Sequence, residues 1–472
     1  MYRKPDRSQM RLEEFFLPFG GTLSADNRWV EMAKLIPWDM IEDLYAEGFK
    51  DDTTDGRPPI AARIAFGAIY IKEQEGLTDR KTVEYITENP YAQYFLGLIS
   101  FSQEPLFDAS MMAHFRKRFT PEKMEKINEE IYRLSSPAKP PTDGDNDGTL
   151  ILDATAAPAD VRYPTDLSLL NECRENTESI IDHIYETNGL SGRRTSYSRK
   201  KARSKYLQIA KQHKPRKKKI KKAIKEQIIW VRKNLEALDD LTADPQNALE
   251  PKHLIRLITI RKVLEQQSQM EQTGNRSVGD RIVNLRQPHV RPIVRGKVSA
   301  PVEFGQKIAL SVVNGYTFIE KQGWNNFSEG QTLRESAEKY KERHGVYPVA
   351  ILADKTYRNR INLNFCKENG IRLSGPRLGR PKKEELEADK EQAYRDSCER
   401  NMVEGRIGID KRRYGLDLIM SRLSSSAETE AVMNILVMNV AHLLRVLFYL
   451  FSKWVLERIL LGKNNATKSI WA

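Results

Sequence analysis

Cysteine is nearly missing: Cys173, Cys366 and Cys398 are the three in 472 residues, far apart and forming no Cys-x-x-Cys pair. That argues against a disulfide framework or a zinc site and fits a reducing compartment. The seven histidines are equally scattered, which argues against a histidine-based metal site. The start, Met1-Tyr2-Arg3-Lys4-Pro5-Asp6, has no apolar signal region, so a cytoplasmic protein is expected. One stretch resembles a membrane span, 431–450, but it holds Asn434, Asn439, His442 and Arg445. A central Arg costs about 2.5–3.5 kcal/mol on insertion scales, so the stretch reads as a core or oligomerisation helix and no membrane partner is expected. Acid is missing from one region altogether. Between Thr187 and Lys225 stand 16 Lys or Arg and no Asp or Glu, more than the whole chain's net charge of +13.

Such a one-sign block repels itself and gains when phosphates neutralise it, whereas a solvated helix face shows mixed signs and i,i+4 pairs. Arg199, Lys200, Lys201, Arg203, Lys217, Lys218 and Lys219 are therefore candidate contacts to a nucleic-acid backbone, with Tyr197 and Tyr206 interleaved. Length implies two to four units. With 40% hydrophobic residues there is enough apolar material for a real core.

The pattern that organises the chain is Thr149-Leu150-Ile151-Leu152-Asp153, an apolar run ending in a carboxylate. It reads as a strand buried on both faces. A solvated strand end is the bland reading of Asp153. A second copy, Val349-Ala350-Ile351-Leu352-Ala353-Asp354, changes the weighing, because ligands of open α/β sheets collect at the carboxyl ends of strands. Two such acids, with Glu404 from a helical stretch as the third, make a plausible seat for a hard cation such as Mg²⁺.

In order, residues 1–135 predict an all-α domain, for DNA binding or subunit contact, and 136–148 a Pro/Gly/Asp linker. The segment 149–425 reads as a sheet-bearing domain, interrupted by a basic helical insertion at 167–280, and 426–472 as a C-terminal helix. Within the insertion, Ile224, Ile228, Val231, Leu235 and Leu238 pair with a returning helix through Leu254, Leu257, Ile258 and Leu264. β character returns at Val302, and Asn314-Gly315 is a strong hairpin signal. A helix is expected from Tyr357 to Glu368, and a basic loop with Arg377 and Arg380 follows Gly375-Pro376. Trp324 admits two readings, base stacking or core packing. Without the insertion the order is β(Asp)–β–β–α–β(Asp)–α–β–α(Glu): an α/β chain, α+β overall, whose mixed sheet carries flanking helices.

This order and these acids resemble the ribonuclease H-like DDE transposases of bacterial insertion sequences, in the group with a short helical N-terminal transposase domain. The phrases Asp153-Ala154-Thr155, Ala159-Asp160-Val161-Arg162-Tyr163-Pro164-Thr165-Asp166-Leu167, Leu77-Thr78-Asp79-Arg80 and Glu88-Asn89-Pro90-Tyr91 carry the likeness. The family's Tyr-x2-Arg-x3-Glu-x6-Lys signature is matched at Arg400, Glu404 and Lys411, with Ser397 in the Tyr position. The resemblance implies a transposase that cuts the ends of its element and joins them to target DNA. It further implies that Asp153, Asp354 and Glu404 hold two Mg²⁺, with Mn²⁺ able to substitute, Asp153 bridging both ions. Arg400 and Lys411 then serve the DNA phosphate. A homodimer on double-stranded DNA and a nucleoid-associated location in the cytoplasm are implied with it. Two alternatives keep parts of this reading: a metal-dependent nuclease without strand transfer, and a non-catalytic basic DNA-binding protein.

Overall fold

The computed structural model describes residues 15–17, 20–49, 59–135, 145–294, 302–375 and 385–468. The chain divides into two units, one of Met1–Ala157, Ile308–Gln322 and Phe327–Ala472, the other of Pro158–Lys307 and Gly323–Asn326.

The first unit begins with helices α1 (Arg28–Leu35), α2 (Trp38–Ala46), α3 (Ala62–Glu75), α4 (Asp79–Glu88), α5 (Pro90–Phe95), α6 (Met111–Arg118) and α7 (Pro121–Ser135). Their boundaries are local chemistry. Thr78 and Asn89 cap α4 and α5 through side-chain oxygens, and Gly76 closes α3 in the left-handed region. Trp29, Tyr70 and Phe95 meet edge-on or tilted in the core between them. Asp79 takes both guanidinium nitrogens of Arg116, at 2.9 and 2.7 Å. Buried Gln93 bonds Ile86 O, Thr87 O and both backbone groups of Ser102. The phrases that carried the family likeness thus hold this helical layer together.

Strand β1 (Thr149–Pro158) begins the sheet. Between it and the next strands of this unit lies the second unit, with α8 (Asp166–Thr187), α9 (Arg199–Ala210), α10 (Lys217–Thr242), α11 (Pro251–Thr273) and β2 (Arg291–Val294). The fold class expected from sequence did not include β2, which pairs antiparallel with Val302–Gly305. In this unit α8, α10 and α11 share a core of Ile180, Ile181, Ile184, Val231, Leu235, Leu238, Leu257, Ile260 and Val263. The inward face of α11 matches the expected one in part: Leu257 and Leu264 pack into this core, whereas Leu254 and Ile258 are exposed and Ile260 and Val263 point in. Apolar residues surround that helix, so spacing alone did not select the face.

The first unit resumes within β3 (Val302–Val313), followed by β4 (Tyr316–Gly323), α12 (Leu333–His344), β5 (Ala350–Leu352), α13 (Arg360–Glu368), β6 (Arg372–Leu373), α14 (Glu385–Arg413) and α15 (Ser424–Lys468). Asn314 and Gly315 both have positive φ, 51° and 82°, as a two-residue hairpin turn of the primed type requires. A Cβ on Gly315 would lie 2.7 Å from His442 Nε2, so only glycine fits there. The helix expected from Tyr357 starts at Arg360, because Asp354 caps a separate 3-10 turn, Lys355–Tyr357. Strand order in this unit is β4-β3-β1-β5-β6, with β5 parallel to both β1 and β6. The sheet is therefore mixed.

By length and composition α15 is apolar enough to cross a membrane. Its first half is instead a core helix, with Ala427, Ala431, Met433, Leu436, Val437 and Val440 fully buried and packing against α7, α3 and α6. Asn439, near the end of this run, bonds the backbone N–H and C=O of Thr317 on β4. One of the polar residues that argued against a membrane span thereby satisfies a strand edge.

Candidate active site

Two features of the parallel pair β1–β5 set the geometry. Ile151 lies opposite Leu352 in register. Asp153 and Asp354 are each two residues further on. β1 runs on to Pro158, so Asp153 lies within the strand and not at the end expected from sequence, while Asp354 follows the end of β5. By the period of two both lie on the face that Ile151 and Leu352 share. That face is covered by α14: Val403 packs with Ile151, Val312, Ala350 and Leu352, and Ile407 packs beside them. Arg372 of β6 grips Asp396 of α14 with two bonds, 2.6 and 2.9 Å, which fixes the helix along the sheet. Glu404, next to Val403, consequently sits at the rim on the same side as both aspartates.

Arg400 stands among the acids. Its Nη1 is 3.7 Å from Asp354 Oδ1 and its Nη2 is 3.7 Å from Glu404 Oε1. Both pairs are partly exposed and contribute little stability; their interest is positional. Asp153 Oδ1 accepts from Ala154 N at 2.8 Å, and Asp354 Oδ1 accepts from Lys355 N at 2.7 Å. Burial raises the Asp153 carboxyl above its usual range. The bond from Ala154 opposes this, Glu329 adds to it, Arg400 opposes it, and Glu404 adds to it. The neighbouring Tyr357 is fully buried, and its hydroxyl is pushed far up by burial, with Glu329, Asp153 and Asp354 contributing. Low-dielectric burial and like charge are the causes in both cases.

The donor set is hard oxygen, as a magnesium ion requires. Among the described residues, however, no three acidic, histidine or cysteine side chains are gathered at one point as a metal cluster. Arg400 supplies the positive charge between Asp354 and Glu404. The oxygen chemistry of the set suits a divalent cation, while the Arg400 guanidinium holds positive charge beside Asp354 and Glu404.

The remaining sequence candidates divide. Lys411 is half-buried on α14 beside Asp410, whose carboxyl is buried and raised well above its usual range by that burial. Ser397, in the family's Tyr position, is exposed. Arg377 and Arg380 lie outside the described residues. In the second unit, Lys200, Lys201, Arg203, Lys217, Lys218 and Lys219 are exposed. Arg199 is paired with Asp182 at 2.6 Å, so its charge is used within the unit. Tyr197 stacks on Trp230 and donates to Glu178 at 2.6 Å, and is not free to stack on a base. Tyr206 and Arg203 line a cleft of about 310 Å³ with Arg162 and Tyr163. Trp324 packs against the Ala159, Val283 and Val290 core and against His289, the core-packing reading of this residue.

Sequence reasoning missed the Arg372–Asp396 clamp, because it joins elements that are distant along the chain.

Comparison with known proteins places this geometry. Residues 351–441 match the family described as Transposase DDE domain, which includes Asp354 and Glu404. Residues 19–118, covering α1 to α6, match the family described as Transposase domain (DUF772). A Rhizobium meliloti protein, described as an uncharacterized protein of ORF8 in the nfe locus, is 34% identical over 143 residues, 30% of this chain. The match spans 66% of that relative's own length. No solved structure matches the chain. A DDE-domain match over its last strands and helices and a transposase-domain match over its first helices together support an insertion-sequence transposase.

Proposed function

We propose that the protein cleaves the ends of its insertion sequence and joins them to target DNA by phosphoryl transfer at Asp153, Asp354 and Glu404. The observation that carries this reading is the register of β1 on β5, which sets the two aspartates side by side just past the last paired residues, on the face covered by the helix that bears the glutamate. A ribonuclease H-like fold for 149–425, interrupted by the 167–280 insertion, is part of the same proposal; the mixed sheet and its flanking helices support it.

The three acids would hold Mg²⁺, two ions in all, with Mn²⁺ as a substitute. When bound, such ions supply the charge that activates an attacking oxygen and steadies the leaving oxygen at phosphorus. The chain's own residues do the rest. Asp153 is half-buried within β1, and its carboxylate is held by Ala154 N. Asp354 is held in the same manner by Lys355 N. Arg400 neutralises Asp354 and Glu404 in the absence of DNA, and its planar fork suits a phosphate once one arrives. Lys411 adds positive charge on the same helix. The exposed lysines of α9 and α10 grip the duplex backbone without reading sequence. A homodimer on DNA belongs to the proposal, and the exposed Phe448, Phe451 and Trp454 of α15 offer apolar surface for it.

The test is a cleavage and strand-transfer assay in Mg²⁺, using pre-nicked duplexes that carry the sequence flanking the coding region. Asp153→Asn, Asp354→Asn and Glu404→Gln should each abolish cleavage and joining while leaving duplex binding intact. Wild-type turnover in any one of them refutes the three-acid assignment. Cleavage by the unaltered protein with no joined product marks a nuclease instead.

A further inference from the structure

The tight turn between β3 and β4 meets basic side chains from two helices. A Cβ built on Gly315 would lie 2.7 Å from His442 Nε2 and 3.0 Å from Arg406 Nη2. Both nitrogens therefore reach one point at the turn, His442 from α15 and Arg406 from α14, and the missing side chain leaves that point open. The His442 ring is fixed there by edge-on contact with Tyr316, at 4.9 Å and 75°. Arg445 follows His442 by three residues, so it rises from the same face of α15. It is exposed, with its Nε on Ala441 O at 3.2 Å.

No acid balances these groups. Arg406 is only 7% exposed, yet it makes no hydrogen bond or ion pair among the described residues. Asp410, the acid that helix spacing would pair with it, bonds through neither carboxylate oxygen. Glu404, two residues before Arg406, is paired with Arg400 instead. Arg445 has no ion pair among the described residues either. Burial pushes the His442 imidazole down to about 4, and Arg406 and Arg445 push the same way against the Asn314 carbonyl. A buried charge without a partner costs stability, and an anionic ligand would remove that cost. The guanidinium fork matches the oxygens of a phosphate. Asn314 and Arg445, both exposed, flank the point, so a phosphate still attached to a polynucleotide can approach it.

We propose that Arg406 and Arg445, with His442 between them, form a site at the Asn314–Gly315 turn for one backbone phosphate of the bound duplex. This rests on the reading of the protein as a DNA transposase. It adds a contact apart from the lysines of α9 and α10 and from Arg400 and Lys411.

The experiment is binding of a short fluorescein-labelled duplex to the full-length protein, read by anisotropy over a range of salt. Thermal melts without DNA accompany it. Arg406→Met should weaken binding about tenfold, as loss of a hydrogen bond to a charged group does. Arg406→Met and Arg445→Gln should each reduce the slope of log K against log salt by about 0.9, one phosphate contact. Arg406→Lys, which keeps the charge, should retain the slope. So should Arg395→Gln on the same helix, whose guanidinium is paired with Glu391. Without DNA, Arg406→Met should not lower the melting temperature, because it removes an uncompensated charge and keeps an apolar stem. Arg445 is exposed, so Arg445→Gln keeps the test open should Arg406→Met fail to fold. A wild-type slope in the folded variants, with or without a lower melting temperature, overturns the site and leaves the transposase reading standing. Inorganic phosphate that raises the melting temperature of the wild type but not of Arg406→Met, with the slope unmoved, assigns the turn to a free anion and overturns the duplex contact. No duplex binding by the unaltered protein overturns the underlying reading.

Discussion

Replacing Asn439 with leucine tests how the apolar helix α15 and the sheet hold each other. Asn439 is fully buried; its Oδ1 accepts from Thr317 N at 3.0 Å, and its Nδ2 donates to Thr317 O at 2.7 Å and Asn128 Oδ1 at 2.8 Å. Thr317 O keeps one partner in Asn128 Nδ2, at 3.1 Å. Leucine therefore strands two groups, the Thr317 N–H and Asn128 Oδ1. Each buried polar group left unmet costs about 1–3 kcal/mol, which sums to about 2–6 kcal/mol. The added apolar burial offsets roughly 1–2 kcal/mol of this, so a net loss centred on about 2.5 kcal/mol is expected. Urea unfolding of the full-length protein, followed by circular dichroism, reads it directly, and the melting temperature should fall by about 2–4 °C. Asn128→Leu, which leaves Thr317 N bonded, should cost less, about 1–2 kcal/mol. A change within about 0.5 kcal/mol for Asn439→Leu, the range of an ordinary surface substitution, would refute the argument that this asparagine closes the sheet edge.

At the site, Asp153→Asn should abolish cleavage yet stabilise the protein at neutral pH. Burial raises the folded-state pKa of Asp153, so ionising it costs stability as pH climbs from the unfolded value, about 3.9, through the folded one. The advantage of the variant should vanish below that window; thermal melts at pH 3.5 and 7 that show equal shifts would contradict it. Changing Lys217, Lys218 and Lys219 together to alanine should reduce the slope of log K against log salt by about 3, at about 0.9 per phosphate contact. An unaltered slope would remove that stretch from the duplex interface. Two glycines should respond oppositely. Gly330→Ala meets the backbone at Thr356 and should cost about 1–3 kcal/mol and slow cleavage. Gly405→Ala, with open space around it on α14, should stabilise by about 0.5–1 kcal/mol in the same unfolding assay.

Local chemistry made much of this protein readable in one dimension. Leu150-Ile151-Leu152 and Ala350-Ile351-Leu352 are strands because uninterrupted apolar runs bury on both faces, but β1 runs on through Asp153 to Pro158 whereas Asp354 follows the end of β5. Asn314-Gly315 is a tight turn because both positions need positive φ. A run of lysines without acids stays on the surface of α9 and α10 because nothing within it can neutralise it. Which of those basic and aromatic residues remain available was decided by packing. Arg199 is drawn to Asp182, Tyr197 to Glu178 and Trp230, and Trp324 to His289. The inward face of α11 and the split of α15 into a buried half and an exposed aromatic end were likewise settled by neighbours, since apolar residues lie on several sides of both helices.

By itself, then, the sequence determined the elements, their caps and turns, and the acids that follow two apolar runs. Tertiary structure alone decided that Ile151 pairs with Leu352, that Val403 turns α14 toward the sheet, and that Gly330 abuts the turn after Asp354. The physical reason is distance along the chain. Capping, turn geometry and hydrophobic period act over a few residues, whereas strand register and the rotation of a packed helix follow from contacts between segments hundreds of positions apart.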